Sequence, residues 1–169
     1  SFYARLTVLE NLKHFAALYR LRGVELIERC NTVLEFIGLN EYKDFVAQNL
    51  SGGFQKRLDI ACSLLHSPKI LILDEPTAEL DPIAADELWK LVKNIHEEGT
   101  TIVIASHILE DLENVCTKIA VLRDKKIMET GSPDELRNIY SRQYEIIIET
   151  AHHNYGKLIK LLKTIKNVA

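Results

Sequence analysis

The chain has 169 residues, 47% hydrophobic and 27% charged, which is ordinary globular composition and enough for one domain with a real core. Lys and Arg total 21 against 24 Asp and Glu, a net charge of -3 that argues against a nucleic-acid partner, because such proteins carry a basic stripe. Cys30, Cys62 and Cys116 are far apart and odd in number, so neither a zinc site nor a disulfide framework is expected.

In chain order, Leu9, Leu12, Phe15, Ala16 and Tyr19 recur at helical spacing, with Thr7 and Glu10 placed for a capping box. A second helix is predicted from Val24 to Ile37, with Gly38 as its C-terminal stop. Residues 39–49 read as a short helix and a loop, and a third helix runs from Phe54 to His66, before Pro68. Ile70-Leu71-Ile72-Leu73 is apolar at every position, which predicts a strand buried on both faces in a parallel sheet. Asp81 and Pro82 open a fourth helix as N-cap and N1, and Thr100 to Ala105 is a second buried strand. A helix from Ile108 to Val115 follows. Two short strands, 119–122 and 127–130, join through the turn Arg123 to Lys126, and Ser132-Pro133-Asp134-Glu135 caps one more helix. Beyond Ser141 a strand from Tyr144 to Glu149 and a helix from Tyr155 to Ile165 are expected. The alternation of strand and helix predicts an α/β fold with a mostly parallel sheet flanked by helices. No run approaches 18 apolar residues and the N-terminus carries no secretory pattern, so neither a membrane span nor a signal peptide is expected.

Three segments carry chemistry. The strand 70–73 ends in Asp74 and Glu75, and ligands of open parallel sheets sit beyond the carboxyl ends of strands. One carboxylate there suits Mg²⁺, a hard cation that keeps several waters, and the other suits orienting a water for attack on phosphorus. Leu50-Ser51-Gly52-Gly53-Phe54-Gln55 places two glycines and a hydroxyl at a helix N-terminus, where free amides favour an anion. Ser106-His107 follows the second strand, so His107 falls on the same sheet edge as Asp74 and Glu75. Each segment alone also has a plain structural reading, as surface acids, a capped loop or a structural histidine.

Taken together the segments resemble a family. Residues 50–55 resemble the signature motif of ABC-type ATPases, 70–76 their Walker B segment, 77–82 their D-loop and Ser106-His107 their switch histidine. Leu6 to Leu12 is similar to the segment that follows the family's Q-loop, and the resemblance spans residues 1–137. It implies a P-loop-NTPase-like sheet with a helical signature subdomain and a short α+β extension. The implied domains are 1–140, divided into a helical part, 1–66, and a Walker B to switch-histidine core, 67–140, followed by the start of a small extension, 141–169. It implies ATP and Mg²⁺ as ligands, with Asp74 holding the metal, Glu75 polarising the attacking water and His107 at the γ-phosphate. Leu50, Ser51, Gly52, Gly53 and Gln55 would close on ATP held by a second ABC ATPase domain, and Asp81 would act across that interface. Glu79 stands where close relatives often have Gly.

The implied function is the ATP-hydrolysing subunit of an exporter-like ABC transporter. Its expected location is cytoplasmic, peripheral on the inner face of the cell membrane and coupled to an integral-membrane permease. The alternatives are a soluble ABC ATPase acting on ribosomes or DNA, and a degenerate cassette without catalysis. The family's P-loop, G-x-x-x-x-G-K-S/T, does not occur in these 169 residues. With its one methionine at Met128 and Ser1 first, the chain reads either as one with its initiator removed or as the back part of a nucleotide-binding domain. On the second reading the chain by itself does not bind ATP productively.

Overall fold

The computed structural model describes residues 2–140, and two compact units divide the chain between Cys116 and Thr117. The first unit begins with helix α1 (Val8–Leu18), closed at its start by the expected box. The Glu10 amide donates to Thr7 Oγ1 at 3.1 Å, and the Thr7 amide donates to Glu10 Oε2 at 2.8 Å. Helix α2 (Gly23–Phe36) follows, ended by Gly38 at a φ of 69° that favours glycine. Residues 39–49 form two short 3₁₀ turns rather than one helix. Helix α3 (Gly52–Leu64) starts two residues earlier than its periodicity predicts, because Ser51 caps it. Strand β1 (Ile70–Asp74), helix α4 (Pro82–Glu97), strand β2 (Thr101–Ala105) and helix α5 (Leu109–Val115) complete the unit.

One apolar cluster joins α1 to α4 with β1, through Leu12, Leu34, Leu58, Leu71, Leu73, Leu88 and Ile95 among others. Cys30 and Cys62 lie in it as free thiols, and burial pushes the Cys62 thiol up to about 12. Strands β1 and β2 pair in parallel, Ile70 beside Thr101 through Asp74 beside Ala105, as a crossover through α4 requires. The expectation that both faces of these strands are covered is not met among the described residues. Ile70, Ile72 and Val103 are 61%, 72% and 50% exposed. The helices feed a single cluster on one side, and only alternate strand residues reach it.

The second unit holds strands β3 (Ile119–Arg123) and β4 (Lys126–Gly131), an antiparallel hairpin with a bulge at Val121/Leu122. Its two-residue turn places Asp124 and Lys125 at φ of 51° and 61°, the conformation that matches strand twist. Helix α6 (Pro133–Tyr140) follows with its capping box formed between Ser132 and Glu135. The strand and helix expected in 144–149 and 155–165 lie outside the described residues.

Candidate functional site

Because β1 and β2 run in parallel and in register, the residues that follow them emerge side by side. The Glu75 amide still donates to the Ala105 carbonyl at 2.8 Å, which sets Glu75 opposite Ser106 and His107. The Glu75 carboxylate is then clasped. Its Oε1 accepts from the His107 amide at 3.1 Å and from His107 Nδ1 at 2.8 Å, and Ser106 Oγ lies 3.5 Å from Oε2. A carboxylate only accepts, so Nδ1 carries the proton and Nε2 is left for a ligand. The His107 side chain is three-quarters exposed, so Nε2 is reachable from solvent.

The His107 side-chain bond, more than its charge, its amide or Ser106, holds Glu75 below the ordinary carboxylate range against some desolvation. The residue stays ionised as a fixed anion. It also sits at a φ of 45°, sparse territory for a residue with a Cβ, which is common where a side chain is aimed for function. Asp74, the last residue of β1, is exposed and accepts no hydrogen bond among the described residues. A cavity of about 240 Å³ opens beside it, lined by Lys56, Asp59, Ser63, Leu88 and others. A larger one, about 380 Å³, lies at the opposite end of the strands beside Lys69 and Thr100, away from both carboxylates.

The glycine loop is a separate structure on the same unit. Ser51 Oγ accepts from the Phe54 amide at 3.3 Å, and the Gln55 amide group turns back onto the Leu50 carbonyl at 3.0 Å. Neither side chain reaches Glu75 or His107. The tightest constraint is at Gly53, where a Cβ would stand 3.1 Å from the Ala84 Cβ on α4. At Gly52 the neighbour is Leu80 Cδ2, at 3.4 Å. Gly53 therefore serves the approach of α3 to α4, in addition to any ligand, whereas a Cβ at Gly52 would make ordinary contact. Asp81 caps α4, accepting from the Ile83 and Ala84 amides at 3.0 Å each. A link between the two parts is Lys56, which the sequence did not mark as a site residue and whose Nζ donates to the Glu75 carbonyl at 3.3 Å. Its only signal in the sequence was its place one turn into α3, on the side of Asp59 and Ser63.

Among the described residues no three His, Cys, Asp or Glu side chains converge on a point. Asp74, exposed at the end of β1, suits Mg²⁺, which takes one or two carboxylates and fills its shell with water and phosphate oxygens.

Known proteins resemble the chain in sequence and in fold. A family model described as ABC transporter matches residues 1–78. The chain is 36% identical over 137 residues to the probable multidrug ABC transporter ATP-binding protein YbhF of Escherichia coli, covering 81% of this chain and 24% of that protein. It is 34% identical over 134 residues to the linearmycin resistance ATP-binding protein LnrL of Bacillus subtilis, covering 79% of this chain and 43% of that one. The chain thus spans less than half the length of these curated relatives. Among solved structures, cbiO1 from Clostridium perfringens, described as part of the ABC transporter complex cbiONQ, superposes with a TM-score of 0.74 at 29% identity. That match covers 95% of this chain and 63% of the solved one.

Proposed function

Because this chain belongs to the family of ABC-transporter ATP-binding domains, we propose that it forms part of the subunit that hydrolyses ATP to drive a membrane permease. The observation that carries the reading is the clasp of Glu75 by His107 at the strand edge that also presents Asp74. In this reading Asp74 holds Mg²⁺, which when bound neutralises phosphate charge. Glu75, kept ionised and fixed in direction, orients and polarises the attacking water. His107, held through Nδ1, presents Nε2 to the γ-phosphate, where a ring protonated on both nitrogens would donate to the charge that develops there. The residues Leu50, Ser51, Gly52, Gly53 and Gln55 serve the ATP of a second ATPase domain, whose approach Asp81 also meets. Names that denote multidrug and antibiotic-resistance proteins among the relatives support the exporter branch, and with it a place on the inner face of the cell membrane.

No phosphate-cradling G-x-x-x-x-G-K-S/T run occurs in these residues, so turnover is expected where another segment supplies it. The test is MgATP hydrolysis by the chain in the complex with which it purifies. Hydrolysis that falls at least ~100-fold in Glu75→Gln, while the complex stays intact, supports the reading, since fixed electrostatic and positioning groups contribute on that order. ATP-dependent retention on ribosomes or DNA, without a membrane partner, overturns it in favour of a soluble ABC ATPase. Saturable ATP binding by the isolated chain, lost in Glu75→Gln, overturns the expectation that the chain needs a phosphate loop from elsewhere.

A further inference from the structure

The turn after β1 and the segment after β2 are joined a second time, beyond the Glu75 clasp. Thr77 Oγ1 donates to Asp111 Oδ2 at 2.9 Å. Thr77 is 5% exposed, the only residue besides Asn11 that is both polar and buried among the described residues. A buried hydroxyl that loses its partner costs free energy, so this bond has a defined geometry to protect. Asp111 lies in the first turn of α5, four residues after His107, and Thr77 lies two residues after Glu75. The two short segments 75–77 and 107–111 are therefore pinned at both ends, by Glu75 to His107 and by Thr77 to Asp111.

Helix α5 needs such a pin. It has seven residues, no fully buried side chain and no side-chain N-cap, since Ile108 occupies that position. A helix this short is marginal without tertiary contacts. Near the helix start, the hydroxyl of Ser106 accepts from the Ile108 amide at 3.1 Å, before the first residue of α5. Both bonds from His107 end on the same Glu75 oxygen, Oε1, which leaves the histidine segment free to pivot about that atom. The Thr77 to Asp111 bond, between residues 34 positions apart, removes that freedom.

We propose that Asp111 is a positioning residue which, through Thr77, holds the His107 segment in register with Glu75. Its bearing on catalysis rests on the hydrolytic reading above, but its bearing on the clasp does not. The charge of Asp111 strengthens the bond, because a hydrogen bond to an ionised acceptor is roughly twice as strong as a neutral one.

The experiment is residue-resolved amide hydrogen exchange on the full ¹⁵N-labelled chain without nucleotide. The variants are Thr77→Val, Thr77→Ser, Asp111→Ala and Asp111→Asn. The His107 amide, which donates to Glu75, is the reporter. It is expected to exchange about tenfold faster in Thr77→Val and Asp111→Ala, as in the wild type in Thr77→Ser, and two- to threefold faster in Asp111→Asn. The double variant Thr77→Val/Asp111→Ala is expected to match either single one, because both remove the same bond. Amides of α1 to α3 are expected to stay unchanged. Should the Val and Ala variants lose protection there as well, Asp111→Asn decides: a rise at His107 alone supports the pin, and no rise overturns it. Faster exchange confined to α5, with His107 unmoved, also overturns it. Since no step uses ATP, a failure of turnover in the complex would sink the hydrolytic reading without touching this result.

Discussion

At Glu79 the backbone sits at a φ of 66° and the side chain is exposed. A Cβ in that region costs roughly 1–2 kcal/mol, while glycine there returns roughly 0.5–1 kcal/mol in chain entropy. A glycine at this place would relieve a cost that lies in the turn itself. Glu79→Gly is expected to stabilise the chain by about 0.5–1 kcal/mol, which thermal unfolding would detect as a midpoint rise of roughly 1–4 °C. A midpoint that falls would mean the Glu79 side chain makes a contact worth more than the strain. Asn11 shows the opposite case, a polar residue fully buried with its amide spent. It accepts from the Tyr3 amide at 2.7 Å and donates to the Tyr3 and Thr7 carbonyls at 3.0 and 2.9 Å. In the sequence it was one letter within an apolar helical stripe, and nothing there marks it as the lock of the N-terminal segment.

Helix ends were the most legible features of the chain. Thr7 with Glu10, Asp81 with Pro82, and Ser132 with Glu135 cap the helices they were expected to cap, because a cap is a local interaction written in adjacent residues. The end of α3 is different. Its last carbonyls are met from 35 and 36 positions away by Arg29, whose Nη2 donates to Leu64 at 2.6 Å and Nε to Leu65 at 3.0 Å. A cation at a helix C-terminus is favourable, and here it also ties α2 to α3. Arg29→Ala is expected to cost about 2 kcal/mol, the range for a part-buried charged hydrogen bond. Arg29→Lys should recover less than half, because an ammonium does not span two carbonyls as the fork does. Urea unfolding of the three proteins measures this, and full recovery by Lys would reduce the role of Arg29 to charge alone.

For the molecule as a whole, the two-stranded parallel sheet is the unusual feature. Parallel sheets are normally covered on both faces, yet Ile70, Ile72 and Val103 stand exposed in a row on one face of β1 and β2. Ile72→Thr with Val103→Thr is expected to change folding stability by no more than about 0.5 kcal/mol, as at other exposed positions. Fluorescence of a hydrophobic dye bound to the chain should drop severalfold in the same variant. A large loss of stability would show that these side chains are covered in solution.

The sequence by itself determined the element order, the caps, the strand ends and which residues stand at them, because each depends on neighbours a few residues apart. It also carried the family, since four segments in fixed order leave little room for another reading. What it misjudged was the covering of the strands, because an apolar run records affinity for a core on both sides but not which packing partners are present. What only the tertiary structure decided was how Glu75 is held. The carboxylate could be placed beside His107 from parallel pairing, but its double acceptance at one oxygen, the Lys56 bond to its carbonyl and the Thr77 to Asp111 pin come from residues 19 to 34 positions apart. Hydrogen bonds of that span have no periodicity to betray them, and they exist only once the strands have set the loops side by side.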